Sequence, residues 1–264
     1  MIISEDDRLA HDLAAQAGRR LLALRERGGD PDLLRRDGDR QSHQFLVAEL
    51  SRQRPDDAVL SEEGRDDPVR LSSDRVWIVD PLDGTREFGD AGRGDWAVHV
   101  ALWEAGELTA GAVALPAQGS VLSTADPAAA RRQAGGGPAA PGHPAAGDGK
   151  LRIVVSRTRP PEFVQRLADQ VGAHLLPLGS AGAKAAEVIR GDADAYVHNG
   201  GQYEWDSAAP VAVARAAGLH ASRIDGSRLS YNQANPWMPD ILICRAALAD
   251  MLLGAISSVM QHQQ

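Results

Sequence analysis

An α+β first half followed by an α/β second half is the fold class this sequence predicts, and three observations carry it. Two stretches of helical period precede a run of strand candidates in residues 1–125. Strand and helix candidates alternate after Lys150. Between them, 126–149 is rich in glycine, proline and alanine and has no periodicity, so it reads as a flexible linker. The expected division is therefore 1–125, 126–149 and 150–264.

In chain order, Ser4–Arg27 reads as a helix. Leu9, Leu13, Ala17, Leu21 and Leu24 recur at helical spacing, Ser4 and Asp7 suit a capping box, and Gly28-Gly29 ends the run. A second helix is expected from about Gln41 to Gln53, with Phe45, Leu46 and Leu50 inward. Strands are expected over 58–60, 75–79, 96–103 and 110–114, in a mostly antiparallel series. His143 in the linker reads as incidental. The second half is expected to run strand 151–155, helix 161–171, strand 175–178, helix 181–190, strand 195–198, helix 207–217, strand 241–244 and helix 246–260.

The charge is uneven: residues 1–125 carry a net of −9 and residues 126–264 a net of +1. An acidic half beside a neutral one argues against a nucleic-acid polymer as partner. It suits cations and a phosphorylated small molecule. No apolar run approaches the roughly 20 residues that span a bilayer, and the acidic N-terminus lacks the basic start and apolar core of a signal peptide. A lone cysteine, Cys244, within an apolar strand reads as a buried thiol in a reducing cytoplasm.

The chemistry concentrates in Val76-Trp77-Ile78-Val79-Asp80-Pro81-Leu82-Asp83-Gly84-Thr85. An apolar strand delivers Asp80 and Asp83 to a sheet rim, where Pro81 blocks further pairing and Gly84 permits φ > 0 or a close approach. Two rigidly held acids repel each other unless a divalent cation lies between them. Glu62-Glu63 follows another short strand, and Asp206 opens a small-residue helix, where an N-cap is the plainer reading. Hard cations such as Mg²⁺ favour such oxygen donors. Zinc spacing is absent.

These three motifs, in this order, resemble those of the lithium-sensitive, Mg²⁺-dependent phosphatases that include inositol monophosphatases, fructose-1,6-bisphosphatases and 3′(2′),5′-bisphosphate nucleotidases. The resemblance runs from about Leu9 to the last helix. It implies a layered αβαβα sandwich, often homodimeric, with the site between the halves and two to three Mg²⁺ ions. It further implies that Glu62, Asp80 and the Leu82 carbonyl hold one ion, that Asp80, Asp83 and Asp206 hold another, and that Glu62 shares a third. Thr85 would orient the attacking water with an acid from Asp37-Gly38-Asp39, where Asp39 is the better match. Backbone N–H groups of Gly84 and Thr85 would meet the phosphate.

Substrate choice is expected in the second half. Gly179-Ser180-Ala181-Gly182-Ala183-Lys184 is similar to a nucleotidase segment, as are Ser156-Arg157 and Tyr231-Asn232. Lys184, one of two lysines among 28 basic residues, is expected to reach a second phosphate as a flexible ammonium. Ser156, Arg157, Ser180, His198, Glu204 and Asp206 complete the expected substrate contacts. His198 stands where nucleotidases often carry an arginine, and it reads equally as a strand cap. The resemblance is nearest to the actinobacterial bisphosphate nucleotidases. It implies removal of the 3′-phosphate of adenosine 3′,5′-bisphosphate, with action on the sulfated analogue, in sulfate assimilation. The rival readings are an inositol-1-phosphate or fructose-1,6-bisphosphate phosphatase and a non-catalytic nucleotide sensor.

Overall fold

The computed structural model describes residues 3–128, 149–158, 160 and 162–261. They run α1 (Glu5–Glu26), α2 (Pro31–Gln53), β1 (Ala58–Ser61), β2 (Arg75–Asp83), α3 (Thr85–Gly89), β3 (Ala97–Glu104), β4 (Glu107–Leu115), β5 (Ser120–Ser123), β6 (Arg152–Ser156), α4 (Glu162–Val171), β7 (His174–Leu178), α5 (Ala181–Arg190), β8 (Ala195–His198), β9 (Gln202–Tyr203), α6 (Glu204–Ala216), β10 (His220–Ser222), β11 (Trp237–Met238), β12 (Ile241–Cys244) and α7 (Ala249–Gln261). Most of the expected linker, with His143, lies outside the described residues, as do Arg159 and Pro161.

The expected elements form, with informative differences. The second helix starts ten residues early, because Asp30 caps it, accepting from the N–H groups of Asp32 and Leu33, and Pro31 supplies a preset first φ. The Ser4–Asp7 capping box on α1 is present. The short elements α3, β5, β9, β10 and β11 carry no period of their own and were not expected. The helix expected from Ser207 begins at Glu204, so Asp206 lies inside its first turn rather than at its N-cap.

Two five-stranded sheets form, in the orders β1-β2-β3-β4-β5 and β10-β12-β8-β6-β7. The first is antiparallel except for β1 and β2. In the second, β7, β6 and β8 are parallel, as strand–helix alternation predicts, but β12 is antiparallel to both β8 and β10. Strand β10 therefore runs parallel to β8. The unit β8–α6–β10 is a crossover into which β12 inserts, making the second half mixed rather than purely parallel.

Side-chain alternation sorts the sheets into layers. Trp77 and Val79 of β2 pack outward with Leu13, Leu21, Leu46 and Leu50 of α1 and α2. Val76 and Ile78 point the other way, into a layer filled by α5 and α6 and closed by Val154, Tyr196 and Ile243 of the second sheet. The far face of that sheet, including Ile153, Val197 and Cys244, packs on α4 and α7. The result is the expected αβαβα sandwich. Cys244 is buried, and burial pushes its thiol up to about 12, as a structural cysteine requires.

The Asp30 cap yields a stability prediction. Asp30→Ala removes the side-chain acceptor of two orphan N–H groups and costs about 1 kcal/mol, measured by urea unfolding. A loss below about 0.3 kcal/mol would show that packing alone sets this helix start.

Candidate active site

Strand β2 runs past its regular pairing. Asp80 is opposite His99 of β3 and Asp83 is opposite Ala97, so three steps on β2 match two on β3. Pro81, with no N–H, sits in this bulge. In a regular strand, residues three apart lie on opposite faces. The extra residue cancels that, and Asp83 joins Asp80 on the inner side. There the first turn of α6 brings Asp206. Carboxylate oxygens of Asp80, Asp83 and Asp206 lie within 4.8 Å of one another, a cluster that could hold a metal ion.

Asp83 is the most firmly held of the three. Its Oδ2 accepts from Ser180 Oγ and from the Gly182 N–H at 2.6 Å, and His99 Nε2 is 3.2 Å away. Asp80 Oδ1 accepts the Leu82 N–H at 3.0 Å, and Asp206 Oδ2 accepts the Tyr203 N–H at 2.6 Å. Each carboxylate thus has an oxygen fixed by the protein, which orients the remaining donors.

The protonation pattern separates Asp83 from its neighbours. Burial alone would raise Asp83, but the charge of His99 beside it, helped by Lys184 and the Ser180 hydrogen bond, holds its carboxyl down at about 2. Asp80 is driven well above the carboxylate range by burial and by the charges of Glu62, Asp83 and Asp206. Glu62 is an exposed residue, yet its carboxyl turns toward the cluster, where burial and the Asp206 charge raise it to about 7. Glu62 and Asp80 are thus both pushed up, first by burial and then by the charges of the neighbouring acids. Burial and the Asp83 charge lift Asp206 to about 6. The donors are all hard oxygens under mutual repulsion, and a divalent cation fits them because it relieves what now requires protons.

A second group lies across α2 and α3. Asp39, on α2, accepts from Thr85 Oγ1 at 3.3 Å, and the same hydroxyl is 3.0 Å from the Leu82 carbonyl. Burial and the Glu63 charge push Asp39 up to about 7, against the Thr85 hydrogen bond. The alternative acid, Asp37, is paired with Arg40 instead. Gly84 precedes α3 with φ 85°, and a Cβ there would lie 3.1 Å from Ser180 Cβ and 3.2 Å from the Asp95 carbonyl, so the position needs glycine for both conformation and space.

Three expected substrate contacts are already engaged within the protein. Lys184 is 3 % exposed, and its ammonium donates to the carbonyls of Gly179 at 2.6 Å and Ser180 at 2.9 Å. It is not the flexible surface ammonium its residue type suggested, because α5 lies in the inner layer. Glu204 is equally buried and accepts the N–H groups of Asn232 at 2.6 Å and Gln233 at 2.8 Å. Asn232, at φ 59°, is held further by buried Arg70. Ser180 caps α5, accepting from the Ala183 N–H while donating to Asp83. These three shape the site from behind.

The others lie at its edge. Ser156 ends β6 and is half-buried. Arg157, 30 % exposed at its side chain, donates to Glu87 Oε1 of α3 at 2.5 Å. His198 ends β8, buried, its ring against Gly200. Sequence reasoning missed His99, and a signal existed. It is the one polar residue in Ala97-Val98-His99-Val100-Ala101-Leu102.

A family model described as the inositol monophosphatase family matches residues 9–261. A Mycobacterium leprae protein named 3′-phosphoadenosine 5′-phosphate phosphatase is 50% identical over 267 residues, covering 97% of this chain and 95% of the relative. The Escherichia coli K12 protein named 3′(2′),5′-bisphosphate nucleotidase CysQ is 33% identical over 196 residues, covering 73% and 77%. Among solved structures, CysQ from Bacteroides thetaiotaomicron, described as a bacterial member of the inositol monophosphatase family, superposes with a TM-score of 0.72 at 26% identity, covering 91% of this chain and 97% of that one. Among the described residues, no helix is long and apolar enough to cross a membrane.

The raised carboxyls predict a pH-dependent stability. Glu62, Asp39 and Asp206 have folded values of about 7, 7 and 6, above the unfolded range near 4. Their stabilising contribution is complete below about pH 4 and is lost as pH rises through 6 to 7. Metal-free protein should therefore melt lower at pH 8 than at pH 5.5. Added Mg²⁺ should raise the melting temperature more at pH 8. Equal Mg²⁺ shifts at both values would contradict the clustered-carboxylate picture.

Proposed function

The chain belongs to the inositol monophosphatase family, a family of metal-dependent phosphatases, and we propose that it hydrolyses the 3′-phosphate of adenosine 3′,5′-bisphosphate to AMP and inorganic phosphate. The observation that carries the substrate is the name of the relative that is half identical across nearly the whole chain. The chemistry is supported by the convergence of Asp80, Asp83 and Asp206. In this reading the sulfated analogue would be a second substrate, with a role in sulfate assimilation.

In this reading Mg²⁺ is the ion, two to three per site. Glu62, Asp80 and the Leu82 carbonyl would hold one, Asp80, Asp83 and Asp206 another, with Glu62 sharing a third. When bound, such ions neutralise phosphate charge, lower the pKa of a coordinated water and stabilise the leaving oxygen. The protein's own part is positioning and proton handling. Asp39, titrating near neutrality, accepts a proton from the attacking water. Thr85 has one hydroxyl hydrogen and two acceptors, Asp39 and the Leu82 carbonyl, so it serves one at a time and orients the water with Asp39. The N–H groups of Gly84 and Thr85 meet the phosphate at the start of α3.

With Lys184 enclosed, the 5′-phosphate needs another cation. Arg157 fits: it is half-buried at the end of β6, and its guanidinium can bind a phosphate bidentately once released from Glu87. His198 and Ser156 line the same strand ends.

The test is a substrate panel at fixed Mg²⁺. Adenosine 3′,5′-bisphosphate should exceed inositol 1-phosphate and fructose 1,6-bisphosphate in kcat/KM by at least about tenfold. The reverse order would move the assignment to a sugar-phosphate enzyme. Asp80→Asn should lower kcat by about 100-fold or more; unchanged turnover would leave a non-catalytic nucleotide binder. Arg157→Ala should raise KM for the bisphosphate about tenfold while leaving that for adenosine 3′-monophosphate within about twofold. Equal losses on both would remove Arg157 from 5′-phosphate recognition.

A further inference from the structure

We propose that His99 is a positioning residue that sets Asp83 and the Asp206 turn relative to each other, and so determines the affinity of the metal site. The inference rests on the metal-site reading above and adds a residue to it. His99 sits on β3 directly opposite Asp80. It faces the inner layer, on the same side as Ala97 and Ala101, whose small side chains leave room for the ring. Its Nε2 is 3.2 Å from Asp83 Oδ2, and its Nδ1 is 3.0 Å from the carbonyl of Trp205, the residue before Asp206. A backbone carbonyl only accepts, so Nδ1 carries a hydrogen and donates it to Trp205. One rigid, fully buried ring thus spans from the end of β2 to the first turn of α6.

The surroundings are built to this ring. A Cβ on residue 182 would lie 2.1 Å from His99 Nε2, so α5 can approach only because that residue is glycine. The same Gly182 gives its N–H to the same Asp83 oxygen. Three groups on two elements therefore converge on Asp83 Oδ2: His99 of β3, and Ser180 and Gly182 at the start of α5. His99 touches no solvent, so it meets no substrate. Groups that orient ligands in this way typically change metal affinity 10–100-fold when removed.

The test uses the full chain and Mn²⁺ alone, read as loss of the free-ion EPR signal. His99→Gln can keep an N–H toward Asp83 but not the Trp205 bond, whereas His99→Asn can do the reverse; His99→Ala keeps neither. We expect His99→Ala to weaken Mn²⁺ binding about 10–100-fold, and the Gln and Asn variants to fall between it and wild type. In turnover at rising Mg²⁺, kcat should recover while KM for the nucleotide stays within about twofold. Wild-type protein that binds no Mn²⁺ overturns the metal reading itself. Wild type that binds while all three variants match it within twofold overturns the role of His99 alone. Loss of folding in Gln, Asn and Ala alike would assign His99 to the core, and overturns the proposal as well.

Discussion

One residue too many in β2 makes this site. The bulge between Asp80 and Asp83 reverses the strand's face alternation and turns two acids inward together. Everything else gathers on that outcome. Asp80 continues the inner face of Val76 and Ile78, so the rim of an apolar layer becomes the wall of an acidic site. Asp206 arrives because α6 fills the same layer. The layered sandwich is what brings residues more than 120 positions apart to within 4.8 Å.

Gathering acids beneath a helix layer is costly, and the protein treats them unequally. Asp83 stays ionised, because Ser180, the Gly182 N–H, His99 and Lys184 surround it with donors and positive charge. Asp80 and Glu62 are instead pushed up by burial and by the charges of their acidic neighbours. A carboxylate fixed by donors is a rigid ligand, while carboxyls raised by mutual repulsion are the ones a cation stabilises most. The asymmetry therefore gives the site a permanent anchor and a loadable edge. It also explains the buried Lys184, whose charge supports Asp83 and Asp206 from behind α5.

The readable part of this fold was what periodicity and motif chemistry encode. The strand ending at Asp80 and the helix at 181–190 carry a period, and Asp80 and Asp83 couple a pattern to a chemical oddity, whereas Glu62 and Asp206 read alone as surface and cap and entered only through the resemblance. Two-residue strands such as β9 and β11 have no period to detect. The early start of α2 was hidden because Asp37, Gly38 and Asp39 look like a loop, while the cap that overrides them stands at Asp30. Burial was the least readable quantity. Lys184 and Glu204 carry surface residue types, and only the layering of α5 and α6 turns them into internal braces.

That last point changes where specificity resides. A charged residue in a family-like segment suggests substrate contact, yet Lys184 and Glu204 are buried and each already satisfies two backbone groups. They hold the Gly179–Ser180 turn, whose Ser180 donates to Asp83, and the Asn232–Gln233 turn. Residues that meet substrate must instead retain exposure and an exchangeable partner. Arg157 has both: its ion pair with Glu87 links the second sheet to α3, immediately after Thr85. A phosphate that competes for this guanidinium would free Glu87 within α3, the helix whose start carries Gly84 and Thr85. Under the proposed reading, recognition of the distal phosphate and the setting of the phosphate-binding turn would share one side chain, an arrangement that would favour substrates carrying two phosphates over those carrying one.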